Sequence, residues 1–193
     1  MTGLRDGAVI LTGVPESERG IKESITKKEE FMESKAKLLG HPIHPMLIPF
    51  PLGLLGMAVI FDLLAVVAGQ TSLGQASRPM IAAGIITGLL AAIFGAIDWA
   101  AIPAGTRAKG IATTHGLGNV IIVVLFAIAW WLRRDTEGAP SGLPLVLEVI
   151  GLLAALVTGW LGGELVDRLG VGVDAGANLD APSSLSNRPA SGA

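Results

Sequence analysis

Three histidines are the side chains in this sequence best suited to chemistry: His41, His44 and His115. Imidazole is a common ligand for metals and haem and binds in its neutral form. His41 and His44 are three residues apart, a spacing that can chelate one ion if the Pro-rich turn around them bends suitably. Asp98 can join them as a ligand or orient one from behind. Asn119 falls one helical turn beyond His115 on the same face, and Glu164 and Arg168 are likewise four apart. The candidate set is therefore His41, His44 and His115 for a cofactor. Asp98 is added for a metal, and Asn119, Glu164 and Arg168 stand around them. The chain has no Cys, which excludes disulfides, iron–sulfur clusters on Cys, Cys zinc sites and thioether-linked haem. The chemistry left is a transition metal or a b-type haem. The same groups can instead cap helices and bond loops as a purely structural cluster, and the residues alone leave both readings open.

Two other carboxylates, Asp62 and Glu148, fall inside apolar stretches. A carboxylate in lipid is costly and marks a pathway or a partner. These two can share a proton, pair with Arg78 or Arg133, or form one end of a proton path. There is no Tyr for a radical or phenol acid, and no Gly-rich phosphate loop ending in Lys. Net charge is −2 and the pI about 5.9, so no nucleic-acid partner is expected.

The elements that must position these groups are membrane spans. Charged residues are 16% of the 193 and apolar types 51%, with a mean hydropathy of +0.62. A soluble domain carries roughly a quarter charged residues. A spanning helix needs about 20 apolar residues to cross about 30 Å of hydrocarbon, and four stretches qualify: about 46–68, 80–102, 117–132 and 143–161. Breakers separate them at Gly69–Ser72, Pro103–Thr106 and Gly138–Gly142. Trp99, Trp130, Trp131 and Trp160 lie at span ends, the depth that indole prefers. The fold expected is all-α: an antiparallel up-down four-helix transmembrane bundle in contact with a lipid bilayer.

Orientation follows from Lys and Arg. Lys27, Lys28, Lys35, Lys37, Arg107, Lys109 and Arg168 flank one side, against Arg78, Arg133 and Arg134 on the other. Seven against three puts both termini in the cytoplasm. No signal peptide is expected, because Ala8–Leu11 is too short an apolar run. Residues 1–38 form a charged cytoplasmic segment, expected to be a solvated helix over 15–38, with a helix lying on the membrane surface as the alternative. Residues 39–173 form the membrane domain, and 174–193, rich in Ala, Ser, Asn, Pro and Gly, read as a disordered tail.

Small residues let helices approach in lipid. Gly84, Gly88, Ala92 and Ala96 recur every fourth position, as do Gly151, Ala155, Gly159 and Gly163. Both stripes are expected to face inward, with Gly88 and Gly159 against other helices. An exposed stripe would suit a homodimer. Pro49 and Pro51 deny amide donors to the carbonyls of Pro45 and Leu47, which predicts a kink or a distorted first turn. With the spans in place, His44, His115 and Asp98 are expected in one polar pocket, Asn119 pointing in, and His41 and Glu164 at the rim. Asp62 and Glu148 belong to the opposite leaflet.

The run Gly40-His41-Pro42-Ile43-His44-Pro45-Met46-Leu47-Ile48-Pro49-Phe50-Pro51 resembles the opening of a bacterial membrane-protein family known as domain of unknown function 2231. Asp62, Gly95-Ala96-Ile97-Asp98, His115 and Asn119 fit it. So do Trp160-Leu161-Gly162-Gly163-Glu164-Leu165-Val166 and Gly170-Val171-Gly172-Val173. The resemblance covers about residues 39–173. It implies a multi-pass protein of the bacterial cytoplasmic (inner) membrane. Relatives joined to, or encoded beside, Rieske and cytochrome domains imply redox partners and membrane electron transfer. Many relatives carry Tyr and His where Asp167 and Leu169 stand here; if that His is a ligand in them, this chain lacks it. The functions to separate are thus a haem- or metal-binding electron-transfer subunit, a non-catalytic anchor or partner subunit, and a small proton- or solute-conducting protein.

Overall fold

The computed structural model describes residues 31–186 and 188. The part of the expected charged helix before residue 31 lies outside the described residues. Four helices are long and apolar enough to cross a membrane. A one-turn helix α1 (Ile43–Leu47) leads into α2 (Pro49–Ala68), and α3 (Thr71–Ala101), α4 (Arg107–Leu132) and α5 (Leu143–Gly163) follow. A π-helical turn, Glu164–Arg168, closes α5.

The helices are longer than their apolar stretches because caps, not hydropathy, set their ends. Gly69 takes the left-handed conformation (φ 66°), and the Gln70 amide returns to the Ala65 carbonyl at 3.1 Å. A two-residue turn therefore suffices. Thr71 and Ser72, expected as breakers, begin α3 instead. At 31 residues and about 1.5 Å per residue, α3 is about 46 Å long and outreaches the hydrocarbon. Thr106 caps α4 by accepting the Lys109 amide at 3.1 Å, which starts that helix at Arg107, ten residues before its apolar run. The expected break over Pro49 and Pro51 occurs at Ile48, between α1 and α2. It is mild: Ile48 keeps helical angles and donates to His44 O at 3.3 Å.

Each of the four long helices packs against two of the other three. α2 and α4 both contact α3 and α5, so α3 and α5 lie on a diagonal. The core between them is Leu55, Ala58, Val59, Ile81, Ile122 and Phe126. Glycines admit the large side chains. A Cβ at Gly151 would lie 2.7 Å from the Phe126 ring, and one at Gly84 would lie 2.6 Å from Leu55.

The two small-residue stripes do not behave as expected. Gly84 is buried and Gly88 sits against Pro51 and Val123, but Ala92 and Ala96 are exposed. Gly151 is buried and Ala155 half-buried, while Gly159 and Gly163 are exposed, with nothing within 4 Å of a Cβ there. A step of four residues over-rotates by about 40° on a helix of 3.6 residues per turn. Three steps carry each stripe from the core to the surface. Ala91, Gly95 and Asp98 continue the inner face of α3, and Thr158 and Gly162 that of α5. On a diagonal, the stripes also do not face each other.

At the end of the bundle where the chain enters, residues 31–38 are not part of the expected charged helix but run as a bridge, a bend and a short strand, because Gly170 and Asp98 take the amides of Met32, Lys35 and Ala36. Met32 bridges Val171 in parallel. Strands β1 (Lys37–Leu38) and β2 (His41–Pro42) form a minimal hairpin through Leu39 (φ 51°) and Gly40 (φ 87°). Ile102, Ala112 and Leu165 make a second apolar cluster beneath Met32 and Val171. Beyond it, residues 174–186 run as turns back toward His41.

Candidate functional site

At the entry end, Asp98 lies one turn before the end of α3. It accepts Ser34 Oγ at 2.8 and 2.9 Å, the Lys35 amide at 2.8 Å and the Ala36 amide at 3.4 Å. The carboxylate thus clamps residues 34–36. Beside it, Lys37 pairs with Glu33 at 2.7 Å. That bond, and next the Ala175 amide, hold the Glu33 carboxyl below the usual carboxylate range.

His44 stands on α1 and reaches α3, where its Nδ1 meets the Ala91 carbonyl at 2.8 Å. His115, in the third turn of α4, reaches α5, its Nδ1 2.8 Å from the Thr158 carbonyl. A carbonyl only accepts, so each partner assigns the proton to Nδ1. His115 Nε2 then accepts from the Asn119 amide at 3.2 Å. Asn119 also donates to the His115 carbonyl at 2.9 Å and accepts Thr158 Oγ at 3.2 Å. Glycine makes room for both rings: a Cβ at Gly95 would lie 2.9 Å from His44, and one at Gly162 3.2 Å from His115. The ring centres are 6.4 Å apart and the planes 88° to each other.

The structure therefore brings His44, His115 and Asn119 together. His41 stands apart, exposed, with Nε2 3.2 Å from Ser184 Oγ. Glu164 pairs with Arg107 at 2.6 Å, and Arg168 is exposed. Among the described residues no three His, Asp or Glu side chains are grouped to hold a metal ion. A haem ligated by both imidazoles would also need the nitrogen that Asn119 now occupies. As arranged, these residues fit neither group.

The opposite end holds a denser cluster. Arg133, one residue past α4, turns back into the bundle and is 2% exposed. Its Nη1 contacts Asp62 at 2.6 Å and Glu148 at 2.9 Å. Its Nη2 donates to Asp62 at 3.0 Å, Ser77 Oγ at 3.0 Å and the Gly74 carbonyl at 3.2 Å. Ser77 donates to Asp62 at 2.6 Å. Asp62, Ser77 and Glu148 are fully buried. The cluster ties α2, α3, α4 and α5 together. Gly138 and Pro140 of the following connection are buried over it.

Sequence reasoning counted Arg133 among the flanking charges and also named it, beside Arg78, as a partner for Asp62 and Glu148; both carboxylates pair with Arg133. Its phase carries the signal that separates it from Arg134. Ile122, Phe126 and Ala129 are buried at steps of four and three, and the next step of four is Arg133. Ser77 and Ser34 were missed, and nothing in their local sequence marks them.

No curated protein and no solved structure matches this chain. A family model described as predicted membrane protein (DUF2231) matches residues 40–175. With that match over most of its length and four helices able to span a bilayer, the chain belongs to this family of membrane proteins of uncharacterised function.

Proposed function

We propose that this chain is a non-catalytic membrane subunit, a four-span platform that anchors or supports a partner. One observation carries the reading: the groups best suited to chemistry are engaged in joining segments of the chain. His44 ties α1 to α3, His115 ties α4 to α5, and Asp98 holds residues 34–36. Conservative substitution tests it. Gln at position 115 can still donate to the Thr158 carbonyl, so His115→Gln should keep most of the stability in detergent. His115→Leu should lose about 1–3 kcal/mol, the cost of unmade buried hydrogen bonds. Equal loss in both would count against a tying role.

A second reading is a redox subunit holding b-type haem between His44 and His115, with Rieske or cytochrome partners. The observation behind it is that the two ring centres lie 6.4 Å apart, so these imidazoles are the residues that would hold it. That reading requires the Asn119 amide to leave His115 Nε2.

The membrane we assign is the bacterial inner membrane, with both termini in the cytoplasm. Burial of Arg133 among carboxylates supports the orientation, because it leaves seven flanking cations on the entry side against Arg78 and Arg134 on the other. A reporter fused after Ala193 should be active only in the cytoplasm; activity only outside would reverse the topology.

A further inference from the structure

The cluster around Arg133 is unbalanced in charge and in hydrogen bonds. Two carboxylates, Asp62 and Glu148, face one guanidinium, and all three side chains are at most 2% exposed. Asp62 receives Arg133 on both oxygens and Ser77 on one. Glu148 receives Arg133 on Oε1 alone, and its buried Oε2 has no partner. The two carboxyl groups meet at one nitrogen, Arg133 Nη1, with Asp62 Oδ2 at 2.6 Å and Glu148 Oε1 at 2.9 Å, and two ionised groups there would offer each other only acceptors.

Among the described residues, Arg133 is the one cation that forms an ion pair with these carboxylates. On α3, Arg78 sits over Trp130, its guanidinium 5.7 Å from the ring centre. In the connection that roofs the cluster, Arg134 pairs with Asp135 at the surface and Glu137 is exposed. The roof is close: a Cβ at Gly74 would collide with the Gly138 carbonyl. An unmatched charge so buried is expensive, and an unmatched buried acceptor adds to the cost.

The geometry points to a proton-binding site: Asp62 and Glu148 hold one proton between them, which makes the cluster electroneutral and supplies the missing donor. This end of the bundle then binds a proton, independently of what the histidines do.

Infrared spectroscopy of the full chain in phosphatidylethanolamine–phosphatidylglycerol vesicles at pH 7 tests this. The wild type should show the C=O stretch of one neutral carboxylic acid per chain. Glu148→Gln leaves Asp62 with Arg133, and Asp62→Asn leaves Glu148 with Arg133. Each is a balanced pair with no need of a proton, so the band should vanish in both. A wild type without the band overturns the proposal, and so does a band that persists in either variant. Because both variants alter a buried site, either one that keeps its helical circular dichroism suffices to decide.

Discussion

Removing the Arg133 side chain should be the most damaging single change in the membrane domain. Arg133→Met keeps bulk and helix propensity but deletes contacts to Asp62, Glu148, Ser77 and the Gly74 carbonyl. Two fully buried carboxyl groups then lose their counter-charge. Breaking a buried ion pair from one side costs about 3–5 kcal/mol. The lower figure already corresponds to more than a hundredfold in the unfolding equilibrium, at about 1.4 kcal/mol per factor of ten. Neutralising the carboxylates as well should restore much of the loss, because the penalty comes from stranded charge and not from the missing bond. The triple variant Asp62→Asn, Glu148→Gln, Arg133→Met should therefore be more stable than Arg133→Met alone. Unfolding by SDS in mixed micelles, followed by Trp fluorescence, measures both, since Trp130 and Trp131 flank the site. If Arg133→Met unfolds at the wild-type midpoint, the cluster does not hold the helices as described. A triple variant no better than the single would refute the charge argument.

Other outcomes follow from the packing and the entry end. Gly151→Leu should cost at least the about 1–3 kcal/mol typical of overpacking, because its Cβ meets Phe126, whereas Gly159→Leu should stay within about 0.5 kcal/mol of wild type; equal effects would mean the inner face of α5 is misassigned. Asp98→Ala should raise amide exchange at Lys35 and Ala36 several-fold while leaving α2 to α5 protected, and unchanged exchange at those two amides would refute the clamp. The Glu33 carboxyl lies below its ordinary range when folded, so its contribution is present above the ordinary carboxylate pKa and is lost as pH falls through the folded value. The protection factor of the Ala175 amide, which donates to Glu33, should then fall on acidification, and a flat protection factor would contradict the linkage.

The spans and the depths of their polar groups were legible because length and apolar content answer directly to bilayer thickness. Asp62 and Glu148 could be placed at one end, and His44, His115 and Asp98 at the other, from position alone. Partners were less legible. Asp98 binds Ser34, which lies 64 residues away in a charged stretch without periodicity. The imidazoles bind backbone carbonyls, which every residue possesses and no motif advertises. The stripes misled because a spacing of four looks periodic but is not the helical period. Arg133 and Arg134 are identical by type, and only helix phase distinguishes the buried one from the exposed one.

If the histidines serve to join segments of the bundle, as we propose, they carry no cofactor. The optical spectrum of the full chain, purified in mild detergent from cells supplied with haem precursors and metal salts, tests it most directly. No Soret band and no stoichiometric metal should appear. A Soret band at about one haem per chain, lost in both His44→Ala and His115→Ala variants that remain folded, would contradict the proposal and establish the pair as axial ligands.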